Sequence, residues 1–182
     1  MMNLNELSAA EKAAAQLFFN VCVQSAFLRE DPNIRYKDVF KRTDMDHIPE
    51  AKTPADIVRG VYQGEFPDGQ VSFEANPENT PAWSRVYMVG GRPKPVIDLL
   101  MTSMKGKPEF IKIEKFPLVL PDGMQMPEGN SADRYLLTID PKLNTPHDVV
   151  FEFHAKTAGV EQPILDCLAW PEMKDGSTGT VQ

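Results

Sequence analysis

The sequence predicts an α+β fold: an antiparallel sheet of about five to seven strands, packed by a long N-terminal helix and a second helix near residues 96–105. Three observations lead there. The apolar period is helical up to residue 29 and becomes two from Val61 onward. The turn signals Asp68-Gly69 and Asp122-Gly123 sit between strand-like runs, as hairpins require. No strand–helix–strand rhythm recurs, which argues against a parallel, doubly wound sheet.

The first helix is announced by a capping box, Ser8-Ala9-Ala10-Glu11. Ala10, Ala14, Leu17, Val21, Ser25 and Leu28 then recur at spacings of three and four, and Phe18 and Cys22 widen the stripe. Asp31-Pro32-Asn33 cannot continue a helix, so it should end near Arg29. All 16 prolines lie after residue 31, dividing a helical head from a body of short elements. Residues 34–60 read as two helical turns. One is Tyr36 to Arg42; the other starts at Thr53-Pro54-Ala55-Asp56 and is closed by Gly60. Strands follow at Val61–Phe66, Gln70–Ala75 and Trp83–Val89. The second helix spans Val96 to Lys105 and stops at Gly106. Phe110–Leu120 is a long strand whose Pro117 assigns it to an edge or a bulge. Arg134–Asp140, Asp148–Lys156 and Ile164–Trp170 complete the sheet. In the second of these, Val149, Phe151 and Phe153 face one way while Val150, Glu152 and His154 face the other. Residues 1–172 should form one domain and 173–182 a flexible tail.

Composition bounds the use of this fold. Of 182 residues, 42% are hydrophobic and 25% charged, as in an ordinary folded domain. The net charge is −7. Residues 121–182 hold 4 basic and 10 acidic side chains. That balance disfavours a phosphate backbone, so no nucleic-acid partner is expected. No run of 18 apolar residues predicts a membrane span. Glu6 and Glu11 stand where a signal peptide needs positive charge, so a cytoplasmic location is expected. Cys22 and Cys167 lie in apolar runs and read as buried thiols rather than metal ligands or a disulfide. No cofactor is indicated.

The candidate sites are four. Trp83, Tyr87 and Phe151 are candidate walls of an apolar ligand pocket near the Val96 helix, because aromatic residues at strand ends line such pockets. Gly90, Gly91, Arg92 and Lys94 precede that helix, where free amides and cations attract anions. Asp44, Asp46 and His47 combine carboxylate and imidazole within four residues, the ligands of a divalent cation. Glu152 and His154 share a strand face and have the groups of an acid/base pair. His147, after Pro146, reads as solvated. None matches a catalytic motif. The reading that follows is a non-enzymatic ligand-binding or sensory-type module. The alternative is a protein-interaction or assembly subunit, a homodimer among the options, with exposed Met124 and Met126 as a contact patch. A hydrolase-type or metal-dependent enzyme ranks third.

Overall fold

The two periods of the sequence become two layers. The computed structural model describes residues 4–31, 44–47, 58–61, 70–76, 81–118, 124 and 126–174, with the backbone alone for Leu4, residues 44–47 and 58–61, Asn76 and Pro117. Helix α1 is continuous over Ala9–Leu17, a π-helical stretch Phe18–Val23, and Gln24–Leu28. The capping box forms as expected: the Glu11 amide donates to Ser8 Oγ at 3.2 Å, and the Ser8 amide donates to Glu11 Oε1 at 2.8 Å. Arg29 ends the helix in the left-handed region, φ 55°. The π stretch was not foreseen. Within it Val21, Cys22 and Val23 are each at most 1% exposed.

The strands are β1 (Asp44–His47), β2 (Val58–Val61), β3 (Val71–Asn76), β4 (Trp83–Val89), β5 (Phe110–Pro117), β6 (Ser131–Ile139), β7 (His147–Lys156) and β8 (Ile164–Met173), with α2 (Pro93–Lys105) between β4 and β5. They form one open antiparallel sheet in the order β1-β2-β3-β4-β8-β7-β6-β5. Six are long; β1 and β2 are four-residue extensions of one edge. The topology is two like halves. Each is a helix followed by a four-strand meander, and the last strands, β4 and β8, pair side by side. The sequence shows no repeat, so the likeness lies in the topology alone.

Residues 34–60 differ from expectation. Their described parts are strand: 44–47, which lie between the two expected turns, and 58–60, which were expected to end the second. Gly60, expected to close a helical turn, lies in β2 opposite Met45 and Phe73. Pairing on both sides overrides the local signal. The Tyr36–Arg42 and Thr53–Asp56 turns, and the Pro67-Asp68-Gly69 and Pro121-Asp122-Gly123 turns, lie outside the described residues. β2 and β3 nevertheless pair antiparallel, with Val61 opposite Ser72. β5 behaves as its proline required. It is an edge strand, its register slips between Phe110 and Lys112, and it stops at Pro117.

Both helices pack on one sheet face. There Val71, Phe73, Val86, Met88, Leu165, Cys167, Phe151 and Phe153 meet Leu17, Phe18, Val21, Val96, Leu100 and Met104 in one apolar core. Its centre is aromatic. Tyr135 stacks on Phe151 with ring centroids 4.9 Å apart, and Phe18 meets Phe153 edge-on at 5.7 Å. Burying such side chains contributes about 2 kcal/mol each, the main stabilisation of the fold. The second face carries no helix among the described residues.

Candidate functional site

The loop entering α2 shows what local chemistry the fold exploits. Gly90 turns the chain at φ 88°, a conformation open to glycine. Gly91 is buried, and a Cβ there would lie 2.5 Å from Met88 Sδ. Arg92 then caps α2, and Pro93 occupies its first turn. Arg92 is bonded there to a carboxylate of the chain itself. Glu11 Oε2 accepts from the Arg92 amide at 2.7 Å and from Arg92 Nε at 2.9 Å, while Oε1 accepts from Arg92 Nη2 at 2.8 Å. Arg92 Nη2 also donates to the Glu6 carbonyl at 2.8 Å. The carboxylate therefore sits at the positive ends of two helices, 1% exposed. Its hydrogen bonds from Arg92 outweigh the cost of burial and hold its pKa at about 2, from an ordinary 4.5. The sequence marked Glu11 as a capping residue; nothing local announced its partner 81 positions away.

Beside this clamp lies a groove of about 420 Å³. Pro93, Ile97, Ala155 and Pro163 give it apolar walls, and Lys94, Ser131 and Thr157 give it polar ones. Its far rim is pinned. Thr157 Oγ1 donates to the Gly129 carbonyl at 2.7 Å, and Asn130 Oδ1 accepts from the amides of Thr157 and Ala158 at 2.8 and 2.9 Å. Gly129 has φ 88° and would bring a Cβ within 2.5 Å of Thr157 Oγ1, so no side chain fits under this pin. The Lys94 side chain is 86% exposed and, among the described residues, pairs with Asp98, one turn along α2. A second groove, about 350 Å³, runs between the helices over Ala15, Phe19, Leu99 and Leu100, with Lys12, Gln16 and Ser103 beside it.

The sheet face opposite α1 and α2 holds the charged network. Arg134 grips Glu152 Oε1 through Nε and Nη2, at 2.9 and 2.7 Å. Glu152 Oε2 bonds His154 Nε2 at 2.8 Å. Arg134 also lies over the Trp170 ring, 5.4 Å from its centroid. Alongside, Arg85 Nε is 3.2 Å from Glu74 and 3.7 Å from Asp166. Burial raises the pKa of Asp166, against the opposing pull of Arg85. Trp83 and Tyr87 stand on this same face, half-buried.

Phe151 does not join them. It is fully buried on the helix side, stacked on Tyr135, so the three aromatic residues line no common pocket. Alternation along the strands separates them. Asp44, Asp46 and His47 lie together in β1, opposite Val61, Arg59 and Val58; their metal reading rests on sequence. His147 is buried rather than solvated. Its Nε2 lies 2.7 Å from the Phe27 carbonyl at the end of α1, and burial lowers its pKa. Cys22 and Cys167 are free buried thiols, and burial pushes Cys22 up to about 12. Met124 is 66% exposed. Among the described residues, no helix is long and apolar enough to cross a membrane.

No protein-family model matches the chain, and no curated protein or solved structure matches it significantly. The residues themselves therefore carry the functional reading.

Proposed function

We propose that the protein is a non-enzymatic binding module whose ligand is a compact small molecule held in the groove at the start of α2. The groove is the observation that carries this. Its volume falls in the range of small-molecule sites, its walls are mostly apolar, and a few polar groups converge on it. The Glu11–Arg92 clamp fixes one wall and the Asn130–Thr157 pin fixes the other, so little ordering is required on binding. The fitting ligand has an apolar body against Ile97, Ala155 and Pro163, and a hydrogen-bond-accepting head toward Lys94. The internal Glu11 carboxylate already occupies Arg92, so a multiply charged anion is not favoured.

A thermal-shift screen with small monocarboxylic acids tests this. A ligand at 100 times its Kd stabilises by about 2.7 kcal/mol, or roughly 5–10 °C for a chain of this size. The shift should vanish in Ile97→Trp, which fills the groove. If no acid moves the wild-type melting temperature, or if Ile97→Trp leaves the shift intact, this assignment fails.

A second reading, a protein-contact module, is favoured by the sheet face opposite α1 and α2. Trp83, Tyr87, Trp170 and Arg134 are the residue types that anchor protein interfaces. A partner captured by the wild type and lost with Trp170→Ala would support it over the groove.

A further inference from the structure

We propose that β5 is a self-association edge, through which two copies of the chain pair antiparallel about a two-fold axis at Ile113. The sheet ends at β5, which hydrogen-bonds only to β6 among the described strands. The polarity of its backbone follows from one bond. Phe116 stands opposite Arg134 and Pro117 opposite Asp133, so Leu118 stands opposite Ala132. The Leu118 amide donates to the Ala132 carbonyl at 3.0 Å, which makes that a hydrogen-bonded pair. Residues 112, 114 and 116 therefore turn their backbone groups toward β6. Ile113 and Lys115 turn theirs to the free edge. Pro117 falls in an outward position, where its missing N–H costs no ladder bond.

The side chains then select the partner and the register. Ile111 and Phe116 are 55% and 47% exposed, large values for apolar residues flanking an edge that pairs with no other described strand. Lys112 and Glu114 alternate with Ile113, and within one chain they already meet at 2.9 Å. Opposed residues of an antiparallel pair share a face, so a two-fold axis through β5 passes through a single residue. An axis at Glu114 sets that carboxylate against its own copy. An axis at Lys115 does the same with two ammonium groups. An axis at Ile113 places each Lys112 opposite Glu114 of the other copy, twice, and lets the two Ile113 residues exchange both N–H···O bonds. The exposed lysines, the irregularity at Phe110–Lys112 and Pro117 are devices that keep foreign strands off an edge. Here they also confine pairing to a short segment whose charges its own copy complements with the axis at Ile113.

The test is a charge swap read by sedimentation equilibrium at roughly 1–100 µM, the range in which a small interface of this kind is populated. Lys112 is exposed and Glu114 half-buried at the surface, so the fold should survive the changes, with melting temperature as the control. Wild type should dimerise. Glu114→Lys should be monomeric, because it sets like charges opposite each other. The double variant Lys112→Glu/Glu114→Lys should dimerise again. A wild-type monomer at every concentration overturns the proposal. So does a dimer that Glu114→Lys leaves unchanged, since its interface must then lie elsewhere.

Discussion

The two faces of this sheet are made by the same strands, yet they are held by different physics. On the helix side, alternate residues of β7 are Val149, Phe151 and Phe153, at most 1% exposed and locked among aromatic rings. One position out of step, the same strand presents Glu152 and His154, which join a row of paired charges with Arg134, Arg85 and Asp166. The first face gains stability by excluding water. The second gains little, because its charges exchange good hydration for good partners. Its organisation is consequently open to serve recognition, while the first face is committed to folding.

The largest expected effect lies on the helix side. Phe153→Ala removes contacts with Phe18, Tyr135 and Phe151 and should cost about 3–5 kcal/mol in urea unfolding. A loss under about 1 kcal/mol would mean that the aromatic centre is not packed as described.

Next comes the Glu11–Arg92 clamp. Glu11 titrates near 2 when folded and near 4.5 when unfolded, so its ionised form stabilises the fold above pH 4.5. That contribution, at most about 3 kcal/mol, fades as pH falls from 4.5 toward 2. Glu11→Gln should lower stability at neutral pH and flatten the acid limb. Acid titrations of the two proteins that run parallel would place the sensitive group elsewhere.

His147 should act more gently. Its folded pKa is lowered, so protonation favours the unfolded chain, and stability should decline as pH drops through about 6.5. His147→Gln should remove that slope; a slope that persists would belong to another group.

The smallest effect belongs to the sheet face opposite α1 and α2. Arg134→Met leaves the buried Glu152 its bond to His154, and because Arg134 itself is half exposed it should cost only about 1–2 kcal/mol. A cost above about 3 kcal/mol would show that this face, too, holds the fold together and would erase the contrast between them.

The sequence exposes these regions unequally. The long strands β3 to β8 were legible because their period of two is written locally, and so was α1, from Ser8 and Glu11 to Asp31. The four-residue strands β1 and β2 were not. β2 pairs with β1 on one side and β3 on the other, and that pairing outweighs the helix-stop signal at Gly60. The π stretch at Phe18–Val23 has no compositional mark. At the candidate site, the sequence marked Gly90, Gly91, Arg92 and Lys94 as an anion site; Arg92 is bonded to Glu11, a partner that only tertiary structure supplies, while the Gly90 amide donates to the Pro163 carbonyl. The groove was invisible for the same reason. Ile97, Ser131 and Ala155 come from three separate elements and Thr157 from the loop after β7, and they share no motif. The buried state of His147 also depends on a carbonyl 120 residues distant in sequence.

The central claim is that the groove at the start of α2 holds a small molecule. Native against denaturing mass spectrometry of the gently purified protein tests it most directly. The account predicts an excess mass per subunit under native conditions, released on denaturation and lost in Ile97→Trp. An excess mass that Ile97→Trp retains, or bare subunits that stay bare after incubation with every monocarboxylic acid of the screen, would contradict it.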